Sequence, residues 1–294
     1  MAGVTIKNFY ILKGENIMKK SLLPVFLILL VFLFVPLGSS ASTFSNIVAY
    51  GDSLTDNGTS TTDFFGIKYF TNDKVWVEYL ANSMGSTLYD VAFGGATTGM
   101  DNPAAGSLGL GLQWQLDNTL PSFSSLNMND TLFTVWAGAN DFLQSRAFNN
   151  AANNIGISLN KLYAAGARDI LVGNLPDIGL TPTMYGTGLQ AIASGWTIGF
   201  NIALDSVLLA FEAIHPDVNI FLLDAYNIFS NYTVGTSEWS KLFWGDGFHP
   251  SSEGHQLIAD TAASVLSPVP EPATMVLLSL GLLGFAGVSR REKQ

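Results

Sequence analysis

Two short segments, far apart in the chain, carry the residue types of a serine nucleophile and its base. Ser53 directly follows an apolar run and lies in the sequence GDSL (51–54), which would fix its hydroxyl at the end of a buried strand. Asp246 precedes His249 by three residues. A carboxylate at this spacing can reach the imidazole Nδ1 within one tight loop, which leaves Nε2 for the serine. The three residues predict nucleophilic catalysis, although Ser53 alone would also suit a turn that caps a helix.

Two further segments can supply hydrogen-bond donors to the same site. The sequence FGGAT (93–97) can present a bare backbone N–H, and Asn140 in the sequence GAND (138–141) can project its amide. A serine, a backbone N–H and an amide together form an oxyanion hole, whose donors act where negative charge develops in the transition state.

The pattern of the rest of the chain predicts the scaffold that must hold these segments together. Predicted strands are 46–50, 87–92, 131–136, 169–172 and 218–223, and predicted helices are 74–84, 153–165, 189–214 and 253–266. Strands that alternate with helices indicate a parallel sheet covered on both faces. Because sites in such sheets lie beyond the carboxyl ends of the strands, all the segments above fall where a site is expected. The Gly- and Ala-rich stretch 98–112 is a predicted loop that can border it.

The motifs resemble those of the GDSL, or SGNH, hydrolase family. They are GDSLTDNG, FGGAT, GAND and DGFHPSSEGH, which follow one another in the family's order over about 200 residues. Their style is similar to the lecithinase, hemolysin and plant-type branch. The resemblance implies an α/β fold, a three-layer α/β/α sandwich with a five-stranded parallel sheet of flavodoxin-like form.

The same resemblance implies a role for each matching residue. Ser53 would be the nucleophile, His249 the general base and then acid, and Asp246 the residue that orients the imidazole. The backbone N–H groups of Ser53 and Gly95 and the side chain of Asn140 would stabilise the oxyanion. The implied reaction is acyl transfer to water through an acyl-serine, with no cofactor and no metal.

Composition and charge exclude several other classes of protein. The chain has 294 residues, of which 48% are apolar and 12% charged, so it can bury enough apolar surface to be ordered. The absence of cysteine excludes thiol catalysis, disulfides and Cys-ligated zinc. Six basic and twenty acidic residues between 42 and 268 give a formal net charge of −14. Nothing basic is clustered, which argues against nucleic acid as a partner, and this charge does not favour prolonged contact with anionic lipid.

The N-terminal segment 1–41 has the pattern of a secretory signal peptide that starts at Met18. Two lysines precede the apolar run 22–37, and small residues follow at Ser39 and Ala41. We expect cleavage after Ala41. A buried helix or a membrane anchor is the alternative, but the run contains two prolines and is shorter than the ~20 residues that span a bilayer.

The C-terminal segment 269–294 resembles the PEP-CTERM sorting signal of Gram-negative bacteria. A Pro-Glu-Pro sequence (270–272) is followed by the apolar run 273–288 and then by Arg290 and Arg291. A core helix is the alternative, but the run has no polar face. The resemblance implies a short membrane helix, transient anchoring and an exosortase-type processing enzyme. The protein would reach the cell envelope or the extracellular space, and the hydrolase domain would span 42–268.

The main hypothesis is therefore a secreted serine hydrolase of the lipase and esterase type, with a lipid or an acylated small molecule or sugar as its ester substrate. A carbohydrate O-acetyl esterase on the same fold is one alternative. A non-catalytic protein that binds a surface or matrix is another, although such a module would not need the complete set Ser53, Gly95, Asn140, Asp246 and His249.

Overall fold

Five parallel strands form one sheet in the order β2-β1-β3-β4-β5. The computed structural model describes residues 44–59, 70–106 and 108–267, so the predicted signal peptide (1–41) and sorting signal (269–294) lie outside the described residues. The strands are β1 (Asn46–Gly51), β2 (Thr87–Asp90), β3 (Thr131–Trp136), β4 (Asp169–Gly173) and β5 (Asn219–Leu223). The five-stranded parallel sheet that the sequence predicted is confirmed.

The order of the strands places the end of β1 at a crevice. After β1 the chain moves to the edge strand β2 and then returns past β1 to β3, so the direction of winding reverses beside β1. In open parallel sheets, ligands bind beyond the carboxyl ends of the strands at such a reversal. Both β1 and β3 are central and almost wholly buried, which gives the residues that follow them a rigid base.

Helices cover both faces of the sheet. They are α1 (Trp76–Met84), α2 (Leu112–Thr119), α3 (Ala139–Leu143), α4 (Phe148–Ala164), α5 (Gln190–Ile214), α6 (Ala225–Ser230), α7 (Ser237–Ser240) and α8 (Ser252–Leu266). Helix α1 packs against α8, whereas α4 packs against α2 and α5. Because crossovers between parallel strands are right-handed, these two groups lie on opposite faces. The result is the predicted three-layer α/β/α sandwich.

Helix α5 shows how the sequence pattern builds one of these layers. Its buried residues recur every three or four positions and form one stripe: Ala193, Thr197, Phe200, Leu204, Leu208 and Phe211. Within the described residues, α5 is the helix that is long and apolar enough to cross a membrane. The buried stripe packs into the core beside the sheet, so α5 is a core helix whose outer face also carries apolar side chains.

Helix α4 begins earlier than the sequence predicted. The pattern predicted a start at 153, because the preceding asparagines have weak helix propensity. In the structure α4 begins at Phe148, whose ring lies so close to Gly199 of α5 that a Cβ there would be 3.0 Å away. This contact between helices, which no local pattern reveals, extends α4 by more than a turn. The short helices α2, α3, α6 and α7 were not predicted, because each has too few residues for a helical period to show.

Candidate active site

A tight turn at the end of β1 holds Ser53. The N–H groups of Thr55 and Asp56 both donate to the Asp52 carbonyl at 3.0 Å, which closes the turn around the serine. Gly51 permits this geometry, since a Cβ at that position would lie 2.5 Å from the Trp136 carbonyl oxygen of β3. The serine is thereby fixed at the carboxyl end of a central strand.

A chain of hydrogen bonds joins Ser53, His249 and Asp246. The Ser53 Oγ lies 2.7 Å from His249 Nε2, and His249 Nδ1 lies 2.5 Å from Asp246 Oδ2. The other oxygen of Asp246 accepts the backbone N–H groups of Phe248 at 2.9 Å and His249 at 3.0 Å. Partial burial raises the pKa of Asp246, but these hydrogen bonds outweigh it and hold the pKa below its usual value. The carboxylate therefore stays charged and can keep a proton on Nδ1.

The loop that carries Asp246 and His249 is held by one hydrogen bond within the loop and by two hydrogen bonds from Thr183. The Trp244 N–H donates to the His249 carbonyl at 2.8 Å. Thr183, which follows β4, donates its N–H to the Gly247 carbonyl at 3.0 Å and its hydroxyl to the Asp246 carbonyl at 2.8 Å. Because the backbone is held from two sides, the imidazole keeps its position toward Ser53.

The glycine pair after β2 supplies one free backbone donor. The Gly94 N–H donates to Asp56 Oδ2 at 2.7 Å and is therefore committed. Among the described residues, no acceptor is found for the N–H of Gly95 or for that of Ser53. Gly95 has φ +84°, and a Cβ there would lie 2.7 Å from Asn102 Oδ1. Only glycine fits this position, and its N–H remains available to a substrate.

Asn140 lies between the segments that follow β1 and β2. Its Nδ2 is 3.0 Å from the Ala96 carbonyl oxygen and 3.3 Å from Asp52 Oδ2. Asp52 is fully buried, and this desolvation raises its pKa to about 7 against the opposing effects of the Leu54 N–H and His249. Both amide protons of Asn140 therefore have an acceptor in this structure, and the contact with Asp52 is the longer of the two.

Several buried polar residues that the sequence analysis did not single out hold these segments. Gln115 is fully buried and pairs with both backbone groups of Gly51, at 3.1 and 2.8 Å. Asn102 donates to the Gly94 carbonyl at 2.8 Å and accepts the Ala104 N–H at 3.1 Å. Their residue types alone carry no signal of this role, because the partners are set by the folded chain.

Asp141 and Arg146 tie the loop after β2 to the loop after β3. Asp141 accepts the N–H and the hydroxyl of Thr98, at 2.8 and 2.9 Å. Arg146 pairs with Asp101 through both of its terminal nitrogens, the closer contact being 2.5 Å. These contacts fix the distance between Gly95 and Asn140, and so Asp141 serves the site as a positioning residue.

The other two histidines have structural surroundings. His255 is fully buried and accepts the Trp76 N–H at 3.2 Å, and burial lowers the pKa of its imidazole to about 3. His215 packs between the rings of Tyr163 and Phe211. In the described part of the chain, no cluster of His, Asp and Glu side chains has the arrangement of a metal site.

Two family models match the chain. The model described as GDSL-like lipase/acylhydrolase covers residues 47–262, and the model described as the PEP-CTERM protein-sorting motif covers residues 268–291. The first spans well over half of the chain and includes every segment of the candidate site.

Curated relatives include two proteins that share part of this chain. The phosphatidylcholine-sterol acyltransferase of Aeromonas hydrophila is 31% identical over 171 residues, which cover 52% of this chain and 51% of that protein. Esterase EstA of Pseudomonas aeruginosa is 34% identical over 171 residues, which cover 47% of this chain and 26% of the other. The chain thus spans about half the length of the first relative and about a quarter of the second.

Solved structures share the fold at low identity. A lipolytic protein of the G-D-S-L family from Veillonella parvula matches with a TM-score of 0.51 and 18% identity, over 75% of this chain and 97% of that one. Est24, a carbohydrate acetylesterase from Sinorhizobium meliloti, matches with a TM-score of 0.51 and 17% identity, over 74% of this chain and 96% of that one. At these identities the likeness concerns the three-layer architecture.

Proposed function

Because the chain belongs to the GDSL-like lipase/acylhydrolase family, we propose that it is an exported serine hydrolase that cleaves carboxylic esters of the lipase and esterase type. The observation that carries the proposal is the hydrogen-bonded chain from Asp246 through His249 to Ser53, beside two backbone N–H groups without an acceptor in the described residues. The relatives named as an acyltransferase and an esterase support an ester substrate.

In the proposed mechanism, Ser53 attacks the carbonyl carbon of the ester. As its Oγ forms the new bond, His249 Nε2 takes the hydroxyl proton, and Asp246 stabilises the resulting imidazolium through Nδ1–H. The oxygen that becomes negative in the tetrahedral intermediate accepts hydrogen bonds from the N–H groups of Ser53 and Gly95 and from Asn140 Nδ2, which turns one proton from its longer contact with Asp52 toward the oxyanion. The intermediate collapses when Nε2 protonates the departing alcohol, which leaves an acyl ester on Ser53.

Water completes the cycle by the corresponding steps, in which water is the nucleophile and Ser53 is the leaving group. His249 Nε2 removes a proton from a water molecule, whose oxygen attacks the acyl carbonyl carbon. The same three donors stabilise the second oxyanion. The bond to Ser53 Oγ then breaks, Oγ recovers the proton from Nε2, and the carboxylic acid is released. No step in this sequence needs a group beyond the residues of the site and water.

The test is a series of p-nitrophenyl esters with acyl chains from C2 to C16, run with the full chain and with Ser53→Ala. Acetylated xylan and a phospholipid are added as alternative substrates. We expect hydrolysis across carboxylic esters, including the longer acyl chains, and its loss in Ser53→Ala. Hydrolysis confined to acetyl esters and acetylated xylan would favour a carbohydrate O-acetyl esterase. The absence of hydrolysis throughout would favour a binding protein without catalysis.

The PEP-CTERM motif indicates export in a Gram-negative bacterium. We propose that the exported protein is also processed at its C-terminus by an exosortase-type enzyme, which leaves a domain of residues 42–268 at the cell surface or outside the cell. The apolar run 273–288 supports transient anchoring, because its 16 residues would extend about 24 Å as a helix, less than the ~30 Å hydrocarbon core.

Intact mass of the protein from its native host tests this processing. We expect a C-terminus near Val269–Pro272 and an N-terminus after Ala41. A mass that retains Arg290 and Arg291 in the inner-membrane fraction would instead indicate a permanently tethered enzyme.

A further inference from the structure

Two phenylalanine rings lie against the imidazole of His249. The ring of Phe248, the preceding residue, lies 5.4 Å from it between ring centres and is nearly perpendicular to it, at 80°. The ring of Phe70, from the segment before α1, lies 5.2 Å away and is tilted by 38°. The side chain of His249 is 15% exposed. Phenyl rings from two distant parts of the chain therefore cover the base of the proposed triad.

Gly94 provides the space that Phe70 occupies. A Cβ at Gly94 would overlap two outer atoms of the Phe70 ring. The ring thus contacts both the segment that follows β2 and the imidazole of His249. The two glycines of the sequence FGGAT have different tasks, because Gly95 is the proposed oxyanion donor and Gly94 leaves room for the ring. The sequence analysis did not single out Phe70.

Phe70 is held in place through the helix that follows His249. Asn72 Oδ1 accepts the N–H of Ser252 at 2.8 Å, and Ser252 is the first residue of α8. Asn72 follows Phe70 by two residues, and Ser252 follows His249 by three. Because both connections are short, this hydrogen bond fixes the ring relative to the imidazole. Packing of α1 against α8 holds the same two segments together.

The charge of His249 changes during the proposed reaction. Its imidazole is neutral before Ser53 attacks and becomes an imidazolium when Nε2 takes the hydroxyl proton. The face of a phenyl ring attracts a cation that lies within about 6 Å of the ring centre, and it does not attract a neutral imidazole in this way. Phe70 lies within this distance. An interaction that is stronger in the transition state than in the ground state lowers the barrier.

Three other titratable groups lie close enough to His249 to affect its charge. Asp246 holds Nδ1 and stays charged, because its hydrogen bonds keep its pKa below the usual value. Burial raises the pKa of Asp52 to about 7, and its negative form favours the imidazolium. His255 in α8 is neutral at ordinary pH, because burial lowers its pKa to about 3. Phe70 does not titrate, so its contribution is present at every pH.

The segments in contact with Phe70 carry three further charged residues, and each has another neighbour. Asp73 and Lys74 lie near Tyr79 of α1, with the Lys74 ammonium 5.9 Å from the centre of the tyrosine ring. Asp56 accepts the Gly94 N–H at 2.7 Å. A change at Phe70 leaves the types of all these charged residues as they are.

We propose that Phe70 stabilises the imidazolium form of His249 and so acts as a positioning residue for the base of the hydrolase. The inference rests on the proposed function, because it takes His249 to be the general base. Phe70 takes no part in bond making, since the proton passes from Ser53 Oγ to Nε2 and then to the departing alcohol. A phenyl ring at this distance stabilises a cation enough to change kcat by about two- to fivefold.

The test replaces the ring in two ways. Phe70→Leu and Phe70→Met keep an apolar side chain over the imidazole but remove the ring face. Pentafluorophenylalanine in place of Phe70 keeps a ring of similar shape and reverses the sign of its face. Phe123→Leu is the matched control, since Phe123 is also partly buried and its ring lies 5.5 Å from that of Tyr89. Phe248 is less suitable, because its N–H is bound by Asp246 of the triad.

The first measurement is hydrolysis of soluble p-nitrophenyl butyrate by the full chain from about pH 5 to about pH 9. Phe70→Leu and Phe70→Met should lower kcat by about two- to fivefold and leave KM unchanged. The acidic limb of the kcat/KM profile should move to lower pH by about 0.4–0.7 unit, since more acid is then needed to protonate the base. The pentafluorinated ring should lower kcat further than leucine does. Phe123→Leu should keep the wild-type kcat and pH profile.

Proton NMR of the histidine rings measures the same effect without hydrolysis. The chain has three histidines, so the His249 signal is identified by its loss in His249→Asn. The midpoint of its titration should move to lower pH in Phe70→Leu, by about the same 0.4–0.7 unit. If the signal shifts in this way but wild type does not hydrolyse the ester, the proposed function fails while the contact with Phe70 stands.

Three results would overturn the inference. Wild-type kcat and an unchanged His249 titration with the pentafluorinated ring would show that Phe70 only fills space. A change confined to KM in Phe70→Leu would show that the ring contacts the substrate instead of acting through His249. An equal loss of kcat in Phe123→Leu would show that the loss reflects general destabilisation, which thermal melts of the variants measure directly.

Discussion

The amide nitrogen of Asn140 lies 3.3 Å from the carboxylate of Asp52, the residue immediately before Ser53. The same carboxylate accepts the Leu54 N–H at 3.0 Å. Asp52 therefore ties the turn after β1 to the loop after β3. These two segments carry the proposed nucleophile and the proposed amide donor, so their separation depends on one buried carboxylate.

We expect Asp52→Asn to lower kcat by about tenfold while KM changes little. The substitution replaces one carboxylate oxygen by an NH₂ group, which cannot accept a hydrogen bond from Asn140, so the amide donor is no longer held in place. Donors to an oxyanion act mainly in the transition state, and their misplacement therefore affects kcat. Steady-state kinetics at pH 8 on a soluble ester measure the effect. A change confined to KM would show that Asp52 shapes substrate binding instead.

The pH dependence of stability should also change in Asp52→Asn. Burial raises the pKa of Asp52 to about 7, so the folded protein keeps a proton that the unfolded chain releases near pH 4. The retained proton adds up to about 4 kcal/mol to the free energy of unfolding. This stabilisation is complete below pH 4 and is lost as the pH rises through 7. Wild type should therefore lose more stability than the variant between pH 4.5 and 7.5, as urea midpoints measure. Parallel curves would mean that Asp52 titrates normally.

Gly95→Ala should reduce both stability and activity, whereas Gly85→Ala should reduce stability alone. Both glycines have positive φ, +84° and +69°, and alanine at such a position costs about 1–2 kcal/mol. A Cβ at Gly95 also meets Asn102 Oδ1 at 2.7 Å, but a Cβ at Gly85 meets nothing within 4 Å. Thermal melts of the two variants measure the backbone strain that both share, and kcat measures the displacement of the Gly95 N–H. Equal activities would argue against Gly95 as a donor.

Asn140→Ala should lower kcat by roughly 10²–10³ with little change in KM, because it removes a donor to the oxyanion. Asn154→Ala is a suitable control, since that asparagine donates to Thr98 of the same region but lies in α4, away from the oxyanion. We expect the control to retain most of its kcat on soluble esters. A similar loss in both variants would mean that the loop structure, rather than the amide donor, is responsible.

The fold was largely predictable because its signals are local. Strand β3 was predicted with its observed bounds, since a short run of β-branched and aromatic residues is typical of a buried strand in an α/β chain. The start of α4 was not predictable, because its first turn depends on the contact of Phe148 with α5. Helix ends that are set by a distant partner leave no local pattern.

The candidate site also has a part that the sequence predicted and a part that it did not. Short motifs predicted that Ser53, Gly95 and Asn140 would meet at one edge, because each follows a parallel strand that ends there, whereas the position of His249 opposite Ser53 rested on the Asp-to-His spacing and the family resemblance. The buried amides that hold those motifs did not stand out. Gln115 forms hydrogen bonds with Gly51, 64 residues away in the sequence. A single glutamine gives no sequence pattern from which this partner could be predicted.

The most direct test of the central claim is covalent labelling of the full chain with a fluorophosphonate, followed by peptide mass spectrometry. A serine that His249 activates reacts rapidly with this reagent, and buried or surface serines do not. The account predicts one adduct, on Ser53, that forms in wild type, is lost in Ser53→Ala and forms far more slowly in His249→Ala. Ester hydrolysis that persists without an adduct on Ser53, or an adduct on another serine, would contradict the account.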